Sequence, residues 1–137
     1  MYQRYKNQVT FLAIYVREAH PIDGWRESGN DQVGISFAQP RTSEERQKVA
    51  RQCSAALEIT MPLLMDTIDD RVGHAYSGMP DRMYVIDRAG KVAYQGGRGP
   101  FGFKTGEMEQ SLIMLLLENG TEQASADKGS VRAPPDK

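Results

Sequence analysis

Cysteine occurs once in the 137 residues, at Cys53, so no disulfide can form within the chain. Histidine occurs twice, at His20 and His74. Glu18, His20 and Asp23 offer ligand atoms, but no second histidine or cysteine stands at metal-ligand spacing, so no metal site is expected. No segment approaches the ~20 apolar residues of a membrane span. The opening MYQRYKNQ is polar and carries no apolar signal core, so a cytoplasmic, reducing setting is expected. Charge of one sign is also missing: 17 basic and 18 acidic residues leave a net −1. That balance excludes a basic footprint for nucleic acid or an anionic membrane.

What remains is a soluble α/β pattern. Val9–Val16 is rich in β-branched and aromatic residues without clean alternation, which predicts a strand buried on both faces. A long connection over 17–41 follows, and loops of that length usually serve a purpose. Thr42 and Glu45 form a capping box that starts a helix, with Val49, Cys53, Ala56 and Leu57 on its apolar face. MPLLMD (61–66) reads as a second strand, and 69–77 as a short helix. MYVID (83–87), RAGK (88–91) and VAYQG (92–96) read as a hairpin. The last helix runs from Thr105 to about Asn119. It buries Met108, Leu112, Leu115 and Leu116, and Gly120 is its expected stop. Residues 1–119 therefore form one domain, and 120–137 are expected to be a disordered tail.

Polar groups crowd the end of the first strand, in YVREAHPIDGW (15–25). Glu18 and His20 leave it two residues apart, so in extended geometry they point to one side. Such a pair can orient and move a proton. A histidine satisfied by loop hydrogen bonds is the simpler alternative. Asp23–Gly24 is a turn dipeptide, and Trp25 is expected to pack over it. Arg82 has a guanidinium suited to a carboxylate, against the alternative of a surface salt bridge. GGRGP (96–100) either presents N–H groups to an anion or is a plain turn.

The segments FLAIYVREAHPIDGW (11–25), DT (66–67), PDRMYVID (80–87) and YQGGRGPFGF (94–103) together resemble the signature of the iodothyronine deiodinases. The resemblance covers about residues 5–118 and favours bacterial members without a membrane anchor. It implies a thioredoxin-like fold, a central mixed sheet flanked by helices, used for reductive removal of iodine from an aromatic ring. It implies no bound cofactor, a small-molecule substrate and an external thiol as reductant. In the catalytic roles it places Glu18 and His20. Arg82 and Arg41 bind substrate, while Trp25 and Pro80 lie beside the site, Pro80 where such folds keep a cis-proline. Pro40 stands where the animal enzymes have a second functional histidine, and proline cannot titrate.

The family's nucleophile is a selenocysteine or cysteine in the loop after the first strand. That strand and the helix behind it have no counterpart in these residues, so the thioredoxin-like fold is expected to be incomplete and the chain inactive as it stands. Cys53 lies on an apolar helical stripe and reads as an ordinary buried residue. Two other readings remain: a non-enzymatic relic or partner-binding module, and a general thiol-redox or peroxide-reducing protein. Without a central strand, both Val9–Val16 and Met83–Asp87 would carry unpaired edges. Strand pairing between two copies, giving a homodimer, is one way to cover them.

Overall fold

The computed structural model describes residues 1–24 and 36–129. The order is α1 (Tyr2–Tyr5), β1 (Ala13–Tyr15), α2 (Ser43–Ala56), β2 (Leu63–Met65), α3 (Arg71–Ala75), β3 (Tyr84–Ile86), β4 (Val92–Gln95) and α4 (Thr105–Gly129). This is a mixed α/β chain. It divides into two compact units, Met1–Arg82 with Arg98–Phe103, and Met83–Gly97 with the segment from Lys104 onward.

In the first unit β1 and β2 pair in parallel, Ala13 opposite Leu63 and Tyr15 opposite Met65. Parallel neighbours need a crossover, and α2 supplies it, packing on β2. The N–H of Ala13 donates to the Pro62 carbonyl, and that of Asp66 to Tyr15, each at 2.9 Å. The first strand is shorter than the expected Val9–Val16. The N–H of Val9 instead donates to the Tyr5 carbonyl and prolongs the turn of α1. Nor is the strand buried on both faces: Ile14 is 42% exposed and its neighbour Leu64 47%. Among the described residues each sheet has two strands, one parallel pair and one antiparallel pair. The single mixed sheet expected would need a strand bonded to both β1 and β3, and no described strand is.

The capping box forms as expected. Thr42 Oγ1 accepts from the Glu45 N–H at 3.2 Å, and Glu45 Oε2 accepts from the Thr42 N–H at 3.2 Å. The buried stripe of α2 is Arg46, Val49, Ala50 and Cys53. Ala56 and Leu57 do not join it. Leu57 is the C-cap, and the left-handed φ of 49° at Glu58 ends the helix and turns the chain away.

The two ends of the long connection are tied to each other. The Ile22 N–H donates to the Phe37 carbonyl at 2.9 Å, and the Gln39 N–H to Asp23 Oδ1 at 2.8 Å. Asp23 thus fixes the stem of the loop, as its turn chemistry suggests.

The second unit is the expected hairpin with α4 packed on β3 and β4. Tyr84 pairs with Gln95 and Ile86 with Val92, with a bulge between Val85 and Ile86. Asp87 Oδ1 accepts from the Ala89 and Lys91 N–H groups, and Gly90 takes the left-handed φ of 79° that the turn requires. Leu112 is buried, as expected. Gly120, however, does not stop the helix, which runs on to Gly129. A lone glycine costs about 1 kcal/mol in a helix, and the following TEQASADK is a run that tolerates one. Residues 130–137 lie outside the described residues.

Candidate active site

Parallel strands open a crevice beyond their carboxyl ends, where ligands of α/β proteins bind. Here β1 ends at Tyr15, and the chain passes through Val16 to Glu18 and His20, both half-buried. Glu18 Oε1 is buried and accepts no hydrogen bond among the described residues. Burial pushes the Glu18 carboxyl above the usual carboxylate range, while the positive fields of Arg46 and His20 pull it back. Glu18 and His20 therefore share one electrostatic neighbourhood.

On the other strand, Asp66 lies just past β2 and is 6% exposed. Its carboxylate accepts from the N–H groups of Gly73 at 2.7 Å, Thr67 at 2.8 Å and Val72 at 3.0 Å. Burial alone would raise its pKa, but these donors outweigh it and hold the carboxyl below the ordinary range. Asp66 thereby caps α3, whose own N-cap, Asp70, makes no side-chain cap. A Cβ on Gly73 would stand 3.4 Å from Val16 Cγ1 and 3.5 Å from Asp66 Oδ2, so α3 closes tightly on the strand ends.

Arg46, 2% exposed, crosses to the same place from α2. Its Nη1 donates to the Thr67 carbonyl at 2.6 Å and the Asp66 carbonyl at 3.4 Å, and pairs with Asp70 Oδ1 at 2.9 Å. The contact with Asp70 is ionic, without an aligned hydrogen bond, and Arg46 Nε has no hydrogen-bond partner among the described residues. Cys53 lies two turns along the same stripe. Its thiol is raised to about 11, by burial first and by the Glu18 charge second. At neutral pH only about one such thiol in ten thousand is ionised, which makes it a poor nucleophile.

The other sequence-derived candidates lie on other segments of the chain. Arg41 is exposed and lines an open cleft of about 450 Å³ with Asp23, Phe37, Pro40 and Lys48. Arg82 is half-buried, Pro80 is exposed, and the Met79–Pro80 peptide is cis. In the glycine-rich loop the Gly96 N–H donates to the Met83 carbonyl and the Gly99 N–H to that of Asp81. Two donors of an anion-binding nest are thereby spent on backbone. His74 is exposed on α3. Trp25 lies outside the described residues. No three His, Cys, Asp or Glu side chains among the described residues stand together as a metal site.

A family model described as iodothyronine deiodinase matches residues 1–115. The chain belongs to the iodothyronine deiodinase family. The thyroxine 5-deiodinase of Bos taurus is 36% identical over 120 residues, which is 88% of this chain and 36% of that protein. The same enzyme of Homo sapiens is 37% identical over 108 residues, 77% of this chain and 33% of that one. The type II iodothyronine deiodinase of Rattus norvegicus is 29% identical over 112 residues, 80% and 42% respectively. This family member spans about a third of the length of the thyroxine 5-deiodinases it matches. No described helix is long and apolar enough to cross a membrane.

Glu18, His20, Arg41 and Arg82 all fall inside the deiodinase match. Sequence reasoning passed over Arg46. Its signal was available, because Arg46 sits three and seven residues before Val49 and Cys53, on the stripe that helical spacing marks as buried. In the sequence Asp66 stands out only as part of the DT pair at 66–67. Its capping of a helix that starts several residues later has no local spacing rule.

Proposed function

We propose that this deiodinase-family chain supplies the acid–histidine arm of a thiol-dependent reductive deiodination site on a thioredoxin-like scaffold. The observation that carries the reading is Glu18: a half-buried carboxylate with an unsatisfied oxygen, beside His20, at the carboxyl end of a parallel strand pair. Burying a carboxylate without partners is costly, and such sites are enriched where protons move.

Removing iodine from an aromatic carbon as iodide needs two electrons and a proton delivered to that carbon. Two thiols balance the reaction: they end as a disulfide, the ring gains hydrogen and iodide leaves. In this scheme Glu18 orients His20, and His20 binds the phenol or relays the proton. Arg82 and Arg41 offer guanidinium groups to the substrate's acidic end. Cys53 is not the nucleophile, since its thiol is buried and its pKa raised. The thiolate or selenolate must come from another segment. In the thioredoxin-like reading it would belong to a strand that pairs with β1 on the side away from β2.

The test is iodide release from an iodinated phenol in the presence of a dithiol. The 137-residue chain is expected to give none, and Cys53→Ser to change nothing. When the coding frame upstream is included and brings a cysteine or selenocysteine, turnover should appear and His20→Ala should lower it by about 100-fold or more. Turnover by the 137 residues that vanished in Cys53→Ser would refute the assignment.

A further inference from the structure

The deiodination reading uses Glu18 and His20 but leaves a buried cation beside them without a task. Arg46 is one of the least exposed residues described, at 2%, and it is charged. A buried guanidinium is retained at the expense of its hydration, so its setting must compensate. Compensation is incomplete. Nη1 meets two carbonyls and the Asp70 carboxylate, while Nε is buried and has no hydrogen-bond partner among the described residues. Among the described residues three other buried side-chain oxygens lack a hydrogen-bond partner, Tyr15 Oη, Glu18 Oε1 and Asp70 Oδ1. Asp70 is already ion-paired with Arg46 and Tyr15 is neutral, which leaves Glu18, at the same strand ends, as the anionic one with no ion pair among the described residues.

The backbone explains why they share that place. The Asp66 N–H is bonded to the Tyr15 carbonyl, so the Asp66 carbonyl that Arg46 holds sits next to the end of β1. Val16 packs near the Asp66 carboxylate across Gly73. Glu18 follows Val16 by two residues. Arg46 enters from the first turns of α2, whose N-terminus lies at the carboxyl end of β1 in a parallel crossover.

We infer that Arg46 is a positioning residue for Glu18: its guanidinium, anchored by the 66–70 turn, favours the charged form of the buried Glu18 side chain and readies it to orient His20. The inference rests on the Glu18–His20 reading above. The groups that act on Glu18 are Arg46 and Cys53 from α2 and His20 from its own segment, while Asp66 and Asp70 belong to the turn that holds Arg46. Among them Arg46 carries the guanidinium. An arginine guanidinium is not deprotonated in the ordinary pH range, so its bias on a neighbouring carboxyl does not switch with pH. The positive field of Arg46 on Glu18 already opposes the effect of burial.

The experiment follows the Glu18 carboxyl carbon and the His20 ring by NMR through a pH titration of the 137-residue chain, with no substrate. Arg46→Gln should move the Glu18 midpoint upward. A purely structural role predicts the reverse, because loosening would hydrate Glu18 and lower its midpoint toward the ordinary value. A midpoint that stays or falls overturns the inference. Should Arg46→Gln fail to fold, Asp70→Asn is the second variant, read while the amide signals of 13–15 and 63–65 stay in place. Freed of its competing carboxylate, Arg46 should then lower the Glu18 midpoint, and an unchanged or higher midpoint overturns the inference. Absence of deiodination leaves these readings intact. Independent titration of Glu18 and His20 in the unmodified chain would instead refute the reading of the pair.

Discussion

Glu18 shows what a site residue costs the fold. Its folded-state pKa is raised, chiefly by burial. An acid with a raised pKa favours the folded state most when both states are protonated, and that advantage is lost as pH rises through the folded pKa. Above the folded pKa the ionised group is therefore a burden. Glu18→Gln is expected to raise the thermal midpoint at pH 7, and the gain should shrink as pH falls toward and below the ordinary glutamate range. Melting curves of both proteins from pH 3 to 8 read this directly. An equal difference at every pH would mean that Glu18 is not desolvated in the folded chain. The strand-end cluster of Glu, His and Asp was legible as polar residues placed behind an apolar run. The buried Arg46 was legible only through its spacing, because charged residues are seldom expected inside.

At the scale of elements, caps and turns decide more than propensity. Asp66 ties the end of β2 to the start of α3 through three backbone N–H groups. Its pKa is lowered, so it stabilises the fold above the unfolded-state pKa. That stabilisation is lost as pH falls through the folded value. Asp66→Asn should cost about 1–3 kcal/mol at pH 7. It should also flatten the acid limb of the stability curve, as read by denaturant melts at several pH values. A neutral effect at pH 7 would remove Asp66 from the cap.

Gly120 offers a test of the opposite sign. It sits inside α4, and a Cβ there would meet nothing within 4 Å. Gly120→Ala should stabilise the helix by about 1 kcal/mol. If the helix stopped there in a left-handed conformation, alanine would destabilise it instead, and circular dichroism melts distinguish the two. The stop expected at Gly120 failed because glycine is a cap only when the chain beyond it leaves the helix. Here the chain beyond it continues.

For the molecule as a whole, the open question is strand edges. β1 is bonded to β2, and β3 to β4, each in a two-stranded sheet. In a parallel pair alternate N–H groups of a strand face one neighbour. Ala13 faces β2, through Pro62. Ile14 and Val16 face the other edge and should exchange with solvent much faster than Ala13 in a proven monomer. Strong protection at Ile14 and Val16 would show that something covers that edge, and protection that rises with concentration would identify it as a second copy.

Sequence alone determined the local features: the capping box at Thr42 and Glu45, the hairpin around Gly90, the apolar face of α4 and the family motifs. Each is written in residues a few positions apart, where sterics and hydrogen bonding act on neighbours. Tertiary structure decided what depends on distant groups meeting. It brought Arg46 to the end of β2, set Asp66 under α3, tied Asp23 to Gln39 across the long connection and left Ile14 half-exposed. Burial and electrostatic field are sums over neighbours from several segments, so no single stretch of sequence contains them.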